Sequence, residues 1–231
     1  MLSPCPATAA PPRQPARGLS LVEMLVGVTI GLFIIGGALT LFARNVVGSR
    51  LMLAETRLNQ DLRAAADLIT RDLRRAGFWG NAIQGTIAVG ATGVTTANPY
   101  SAVVSYAGEI DYNFSIDNAE NNVLDSGEKF GVRLNDGALQ LQTADGIWTD
   151  ITDKQLMTVT TFSITPTVTT LGLGQFCAKT CGVGSPGCPT MTVRSFVVTV
   201  TGQSARDSSL KRSLRSSVRV RNDALGGVCP T

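Results

Sequence analysis

From Met24 to Ala43 the chain runs for twenty residues without a charged side chain. At about 1.5 Å per residue a helix of that length spans roughly the 30 Å hydrocarbon core of a bilayer. The run is long enough to cross a membrane. Charged residues make up only 16% of the 231-residue chain, against about 25% for a soluble globular protein, and the hydrophobicity is concentrated near the start. A chain this long can hold one sizeable core, or one membrane helix with a domain of ordinary size behind it. The position of the apolar run selects the second arrangement.

The residues before the run have a different character. Met1 to Gly18 contains Pro4, Pro6, Pro11, Pro12 and Pro15 with Arg13 and Arg17 and no acid, which argues against a helix. A secretory signal places its apolar region ahead of a small-residue cleavage site. Here the small residue Gly18 comes first, so a cut after it keeps the apolar segment and removes Cys5. A lipoprotein signal at Cys5 is disfavoured, because Pro4 precedes it and no apolar run lies upstream.

Glu23 interrupts the apolar pattern near the start of the helix. A carboxylate placed there costs on the order of 2 to 3 kcal/mol unless it is paired or reaches the interface. It either snorkels to the headgroups, where the helix dipole also favours negative charge, or pairs with the α-amine that cleavage exposes at Leu19 of a neighbouring subunit. Gly27 and Gly31 form a GxxxG spacing that lets helices approach closely. Glycine is also common in membrane helices generally, and the spacing alone does not choose between the two readings.

Leu51, Leu58, Leu62, Ala65, Ile69 and Leu73 then recur at three-, four- and seven-residue steps, with Arg57, Asp61, Arg63, Asp67, Arg71 and Arg74 between them. This is an amphipathic helix that continues the apolar one. Gly77 follows the Arg74-Arg75 pair as a left-handed cap. After Gly80 the composition turns to Thr, Val, Gly and Asn, and the period becomes alternating, as in an antiparallel sheet. Asn135-Asp136-Gly137 is a hairpin signal between Val132-Arg133-Leu134 and Ala138-Leu139-Gln140-Leu141. Phe196, Val198 and Val200 alternate with Val197, Thr199 and Thr201, which fits a strand with a buried and a less buried face. Leu214, Val218 and Val220 point one way in another, with Arg215, Arg219 and Arg221 outward. The stretch from Gly172 to Pro189 is irregular and long enough to be functional or pinned. The expected fold is α+β, a long N-terminal helix packed on an antiparallel β head. The expected divisions are a leader at 1–18, an apolar helix at 19–43, an amphipathic helix at 44–77 and a β-rich head at 78–231.

Once Cys5 leaves, four cysteines remain: Cys177, Cys181, Cys188 and Cys229. Four cysteines allow three pairings, and every one ties Cys229 to the 177–188 group. A four-cysteine zinc site is the competing reading. The Cys-x3-Cys-x6-Cys spacing lacks the usual close pairs, and an exported domain meets an oxidising compartment, which favours two disulfides. Oxidation also puts the head on the periplasmic side, a choice that Arg13 and Arg17 before the helix and Arg44 and Arg50 after it leave open.

Asp117, Asn121, Asp125 and Glu128 stand at positions one, five, nine and twelve of a loop that partly matches a calcium-binding hand. Ala119 at position three and Asn122 in place of the turn glycine weaken the match, and a solvated acidic loop is the competing reading. No other cofactor is expected. The chain has no histidine, which removes Ser-His-Asp and Cys-His nucleophile arrangements and imidazole-bound zinc. Its net charge of +3 is spread among interleaved acids, so no nucleic-acid partner is expected. The scattered head acids could belong to an anchored hydrolase or sugar-binding protein, but their spacing places no pair for catalysis. The chain is therefore not expected to be an enzyme.

Gly18-Leu19-Ser20-Leu21-Val22-Glu23 followed by an uninterrupted apolar helix resembles the class III signal of type IV pilins and type II secretion pseudopilins. The resemblance implies cleavage after Gly18 by a prepilin peptidase, methylation of the new N-terminus at Leu19, and an assembly role for Glu23. The family usually has Phe where Leu19 stands, and many major pilins have a kinking proline where Thr40 stands, which leaves Gly36-Gly37 as the flexible point. Leu73-Arg74-Arg75-Ala76-Gly77-Phe78-Trp79-Gly80 and Val218-Arg219-Val220-Arg221-Asn222 are similar to the helix end and last strand of PilW-type minor pilins. The resemblance implies a minor pilin with a single inner-membrane pass and a periplasmic head, later part of a filament or its tip. Its partners would be the prepilin peptidase, other major and minor pilins and the inner-membrane assembly platform. A type II secretion pseudopilin of the J class would carry the same start.

Overall fold

A computed structural model describes residue 18 and residues 20–86, 90–94, 96–143, 146–182 and 185–231. The chain divides into two units, Met1–Leu51 and Met52–Thr231, and one helix, α1 (Leu21–Leu73, 53 residues), contributes to both.

In the first unit α1 runs without a break through Gly36-Gly37, so the glycine pair does not interrupt the helix. Its large apolar side chains are solvent-exposed, Phe33 at 85% and Leu21 at 79% among them. In the second unit the same helix becomes amphipathic. Leu58, Leu62, Ala65, Ala66, Ile69 and Leu73 are buried at helical spacing, whereas Leu51, the first residue of the expected stripe, is 48% exposed. The helix ends at Leu73, four residues before Gly77, and the Arg74 N–H makes the last four-residue bond, to the Thr70 carbonyl at 3.2 Å. Beyond it the backbone tightens to three-residue bonds, Arg75 N–H to Asp72 O and Ala76 N–H to Leu73 O. Gly77 sits at the end of that turn with φ +74°, where a side chain would be strained.

The head is built from two main sheets. The first is an antiparallel meander of β2 (Val103–Tyr106), β3 (Glu109–Asn113), β4 (Lys129–Asn135), β5 (Ala138–Thr143) and β6 (Ile147–Asp150), in that order. β4 and β5 are joined through Asp136 and Gly137, with φ of 47° and 73°. Two consecutive positive φ values match the right-handed twist of the strands, which is why this tripeptide signals a hairpin. The second sheet is dominated by the long hairpin β7 (Met157–Gly172) and β8 (Thr190–Ser204). The other side of β8 pairs with β9 (Lys211–Arg219) and β10 (Ala224–Gly226). A two-stranded pair joins β1 (Gly93–Val94) to β11 (Val228–Cys229). The chain thus does not end on the strand containing Val218, because β10 and β11 follow it.

One core forms between the helix and the sheets. Leu62, Ile69 and Leu73 meet Ile110, Tyr112 and Val132 of the meander and Phe162, Val198 and Val200 of the second sheet. At its margin the Tyr112 hydroxyl donates to the Asp72 carboxylate, and Arg194, only 9% exposed, donates through its two terminal nitrogens to the carbonyls of Ser101 and Asn222 while its Nε has no hydrogen-bond partner among the described residues. The Asn222 side chain in turn donates to the carbonyls of Arg75 and Ala76 in the turn that follows α1, the first of which also accepts the Phe78 N–H.

Candidate functional site

The residues expected to direct processing and assembly lie at the start of α1. Gly18 is exposed, with no atom near where a Cβ would stand, and Leu19 lies outside the described residues. The Ser20 carbonyl accepts the N–H of Met24 at 3.1 Å and begins the helical ladder. Glu23 sits in the first turn, where the dipole favours a negative charge, and it is exposed.

Gly27 and Gly31 have open space where a Cβ would stand, and four residues apart they share a helix face. The hydroxyls of this segment are satisfied by their own helix: Thr29 Oγ1 donates to Val26 O at 2.8 Å and Thr40 Oγ1 to Gly37 O at 2.7 Å. Internal pairing of this kind is what a helix needs where no water is available. By length and composition α1 can cross a membrane, and none of its apolar window is buried within the protein.

The cysteine-rich segment is pinned. Cys177 is joined to Cys229 and Cys181 to Cys188. The first bridge is buried, with Cys177 at 6% and Cys229 at 3% exposure. The loop closes tightly enough that a Cβ on Gly174 would stand 2.3 Å from the Cys181 carbonyl oxygen, and one on Gly227 (φ +79°) 2.2 Å from that of Cys188.

The acidic loop spends its side chains on itself. Glu128 accepts the N–H of Ile116 at 3.2 Å and of Asp125 at 3.0 Å. Asp117 accepts the Asn121 N–H at 3.2 Å, and the Asn121 amide donates to Asp125 at 2.8 Å. Asn122 takes the left-handed conformation, φ 60°, at the position where a calcium hand has glycine. Among the described residues no three acids or cysteines are grouped to hold a metal ion. Both Glu128 oxygens are thus turned to backbone donors of the loop itself.

Sequence reasoning missed the residue that organises this loop. Glu120 accepts the Tyr100 hydroxyl at 2.8 Å and the N–H groups of Gly80 and Asn122 at 2.9 Å each. The Trp79 indole N–H donates to the Asn122 side chain at 2.9 Å. Burial pushes the Glu120 carboxyl up, but its hydrogen bonds together outweigh that and hold it below the ordinary carboxylate value. Tyr100 is raised, first by its own burial and then by the bond to Glu120. No local motif announces this cluster, because residues 80, 100 and 120 meet only in the folded chain.

A long helix, apolar and then amphipathic, whose second half packs on antiparallel sheets defines a pilin-like α+β protein. The family model of prepilin peptidase-dependent protein B matches residues 51–220, and the chain belongs to that family. The matched stretch covers the amphipathic half of α1 and nearly all of the head, while Gly18, Leu19 and Glu23 precede it. No curated protein and no solved structure matches the chain.

Proposed function

We propose that this chain is a minor pilin, cut after Gly18 by a prepilin peptidase, methylated at Leu19 and packed into a type IV pilus or its initiating complex. The observation that carries the reading is the form of α1: an exposed apolar half with Glu23 in its first turn, on a chain of a prepilin peptidase-dependent family. The head would lie in the periplasm, as its two disulfides favour. The partners would be other pilins and the inner-membrane assembly platform.

The mechanism is helix packing with charge pairing rather than catalysis. An unpaired Glu23 in an apolar filament core is costly, so a neighbouring subunit that offers a free α-amine is selected over one that does not. Gly27 and Gly31 leave one helix face open for close approach.

The PilW-type assignment within this class rests on the residues around Gly77 and Val218, whereas the matched model is that of protein B. A J-class secretion pseudopilin shares the same start and is separated by phenotype: deletion should abolish piliation and leave type II secretion intact. Co-expression with a prepilin peptidase followed by N-terminal mass spectrometry tests the processing step. A mature chain beginning at N-methyl-Leu19 supports the reading, and an uncut chain overturns it.

A further inference from the structure

One face of the second sheet is open to solvent, and its strand register fixes which residues share it. Arg219 stands opposite Ser195, Arg215 opposite Thr199 and Ser213 opposite Thr201. β7 continues the same rows, with Thr167 opposite Ser195, Ser163 opposite Thr199 and Thr161 opposite Thr201. Cross-strand partners lie on the same side of a sheet. The Thr201 hydroxyl, for example, donates to that of Ser213 at 3.1 Å. In the four rows from Thr161–Thr201–Ser213 to Thr167–Ser195–Arg219, Val197 is the one apolar side chain and there is no carboxylate. The face is a lattice of hydroxyls edged by cations, and Lys211, Arg215 and Arg219 on β9 are all exposed.

The cation column continues beyond β9. Val220 is buried, and Arg221 returns to solvent with its backbone N–H bonded to the Arg74 carbonyl at 3.2 Å. Arg74, Arg219, Val220 and Arg221 line an open groove there. One acid reaches the groove, Asp223, which pairs with Arg219 at 3.0 Å. Among the described residues no carboxylate lies within ion-pair distance of Arg74, Arg215, Arg221 or Lys211. Arg212, on the opposite side of β9, is the contrast: it is taken by Glu55.

We propose that this face binds a linear acidic polysaccharide laid along β9. Its anionic groups would pair with the arginine groove, Arg215 and Lys211, and its hydroxyls would exchange hydrogen bonds with the Ser/Thr rows. At about 3.3 Å per residue, Lys211 to Arg221 spans roughly 33 Å, a length suited to an extended polymer rather than a single ion. Sequence-specific reading of duplex DNA takes an element that enters a groove, and single strands are held by aromatic stacking; these rows, without aromatic rings or a projecting element, supply neither, and DNA held by its phosphates alone is an outcome that the test separates. A membrane surface calls for apolar side chains that insert beneath the headgroups, which these rows lack.

The test uses the full chain in phosphatidylcholine nanodiscs. Binding is measured to polygalacturonate for carboxylates, dextran sulfate for sulfates, neutral dextran, duplex DNA and phosphatidylglycerol vesicles. At least one acidic polysaccharide should bind while neutral dextran does not, and the one preferred identifies the anion. Binding should weaken as salt rises from about 50 to 300 mM. Arg215→Glu with Arg221→Glu should reduce it about tenfold or more at unchanged melting temperature, while Lys179→Glu, an exposed cation in the disulfide loop, changes it less than about twofold. Absence of binding to both acidic polymers, equal binding of neutral dextran, tighter binding of DNA or vesicles, or an equal loss in Lys179→Glu overturns the proposal.

Discussion

Glu120 and Glu23 are two glutamates whose roles differ because their surroundings differ. Glu120 gathers donors from three separated parts of the chain, Gly80, Tyr100 and Asn122. Tyr100 itself is fully buried, and its hydroxyl would keep only the Val123 carbonyl, at 3.1 Å, as acceptor, so Glu120→Ala, which also takes the acceptor from the Gly80 and Asn122 N–H groups, should cost about 1 to 3 kcal/mol, measured by urea unfolding. Because the folded carboxyl is held below its ordinary value, its contribution is present above the unfolded value and disappears as pH falls through the folded one. Wild type should therefore lose stability relative to Glu120→Gln across that acidic window and not near neutrality. Glu23 has no such partners among the described residues, and its effect should appear only on assembly. Glu23→Ala should insert in the membrane normally yet enter filaments about tenfold less or worse, measured by shearing pili from cells and immunoblotting. Incorporation at the wild-type level would show that charge pairing is not what selects subunits.

At the scale of elements, what could be read from sequence is what is encoded locally. The hairpin at Asp136-Gly137 is fixed by two residues that accept positive φ. Gly137→Ala both forces a side chain into that region and sets a Cβ 2.9 Å from Thr158 Cγ2, which should cost on the order of 1 to 3 kcal/mol in chemical denaturation. The buried stripe of α1 and the alternation of β8 are likewise periodic patterns of near neighbours. The division of strands between two sheets was not legible, since alternation gives each strand a face but names no partner. Pro166 demotes its segment as a strand by local rules. β7 tolerates it because β8 is its only strand partner among the described residues, and an edge is where proline fits. The cationic column was half visible in the sequence as Arg215, Arg219 and Arg221. Its continuation to Arg74 needed the tertiary contact between the end of α1 and the chain after β9.

For the whole molecule, residues 222–229 act as a strap. Asn222 bonds the turn that follows α1, β10 lies along β8, β11 lies along β1, and Cys229 is bonded to Cys177. Cysteine arithmetic required Cys229 to join the 177–188 group but could not choose its partner, because the choice depends on where β11 brings the tail. The two bridges should therefore contribute unequally. Cys177–Cys229 closes a separation of 52 residues and Cys181–Cys188 one of 7, so chain-entropy reasoning gives about 4 kcal/mol for the first and between about 2 and 3 for the second. Replacing Cys177 and Cys229 by Ser should lower the urea midpoint by more than replacing Cys181 and Cys188. It should also raise amide exchange at residues 224–229 and 90–94 together, because the strap and the β1 pair lose the same anchor. Exchange confined to the 181–188 loop in both variants would mean that the strand pairing, not the bond, holds the tail in place.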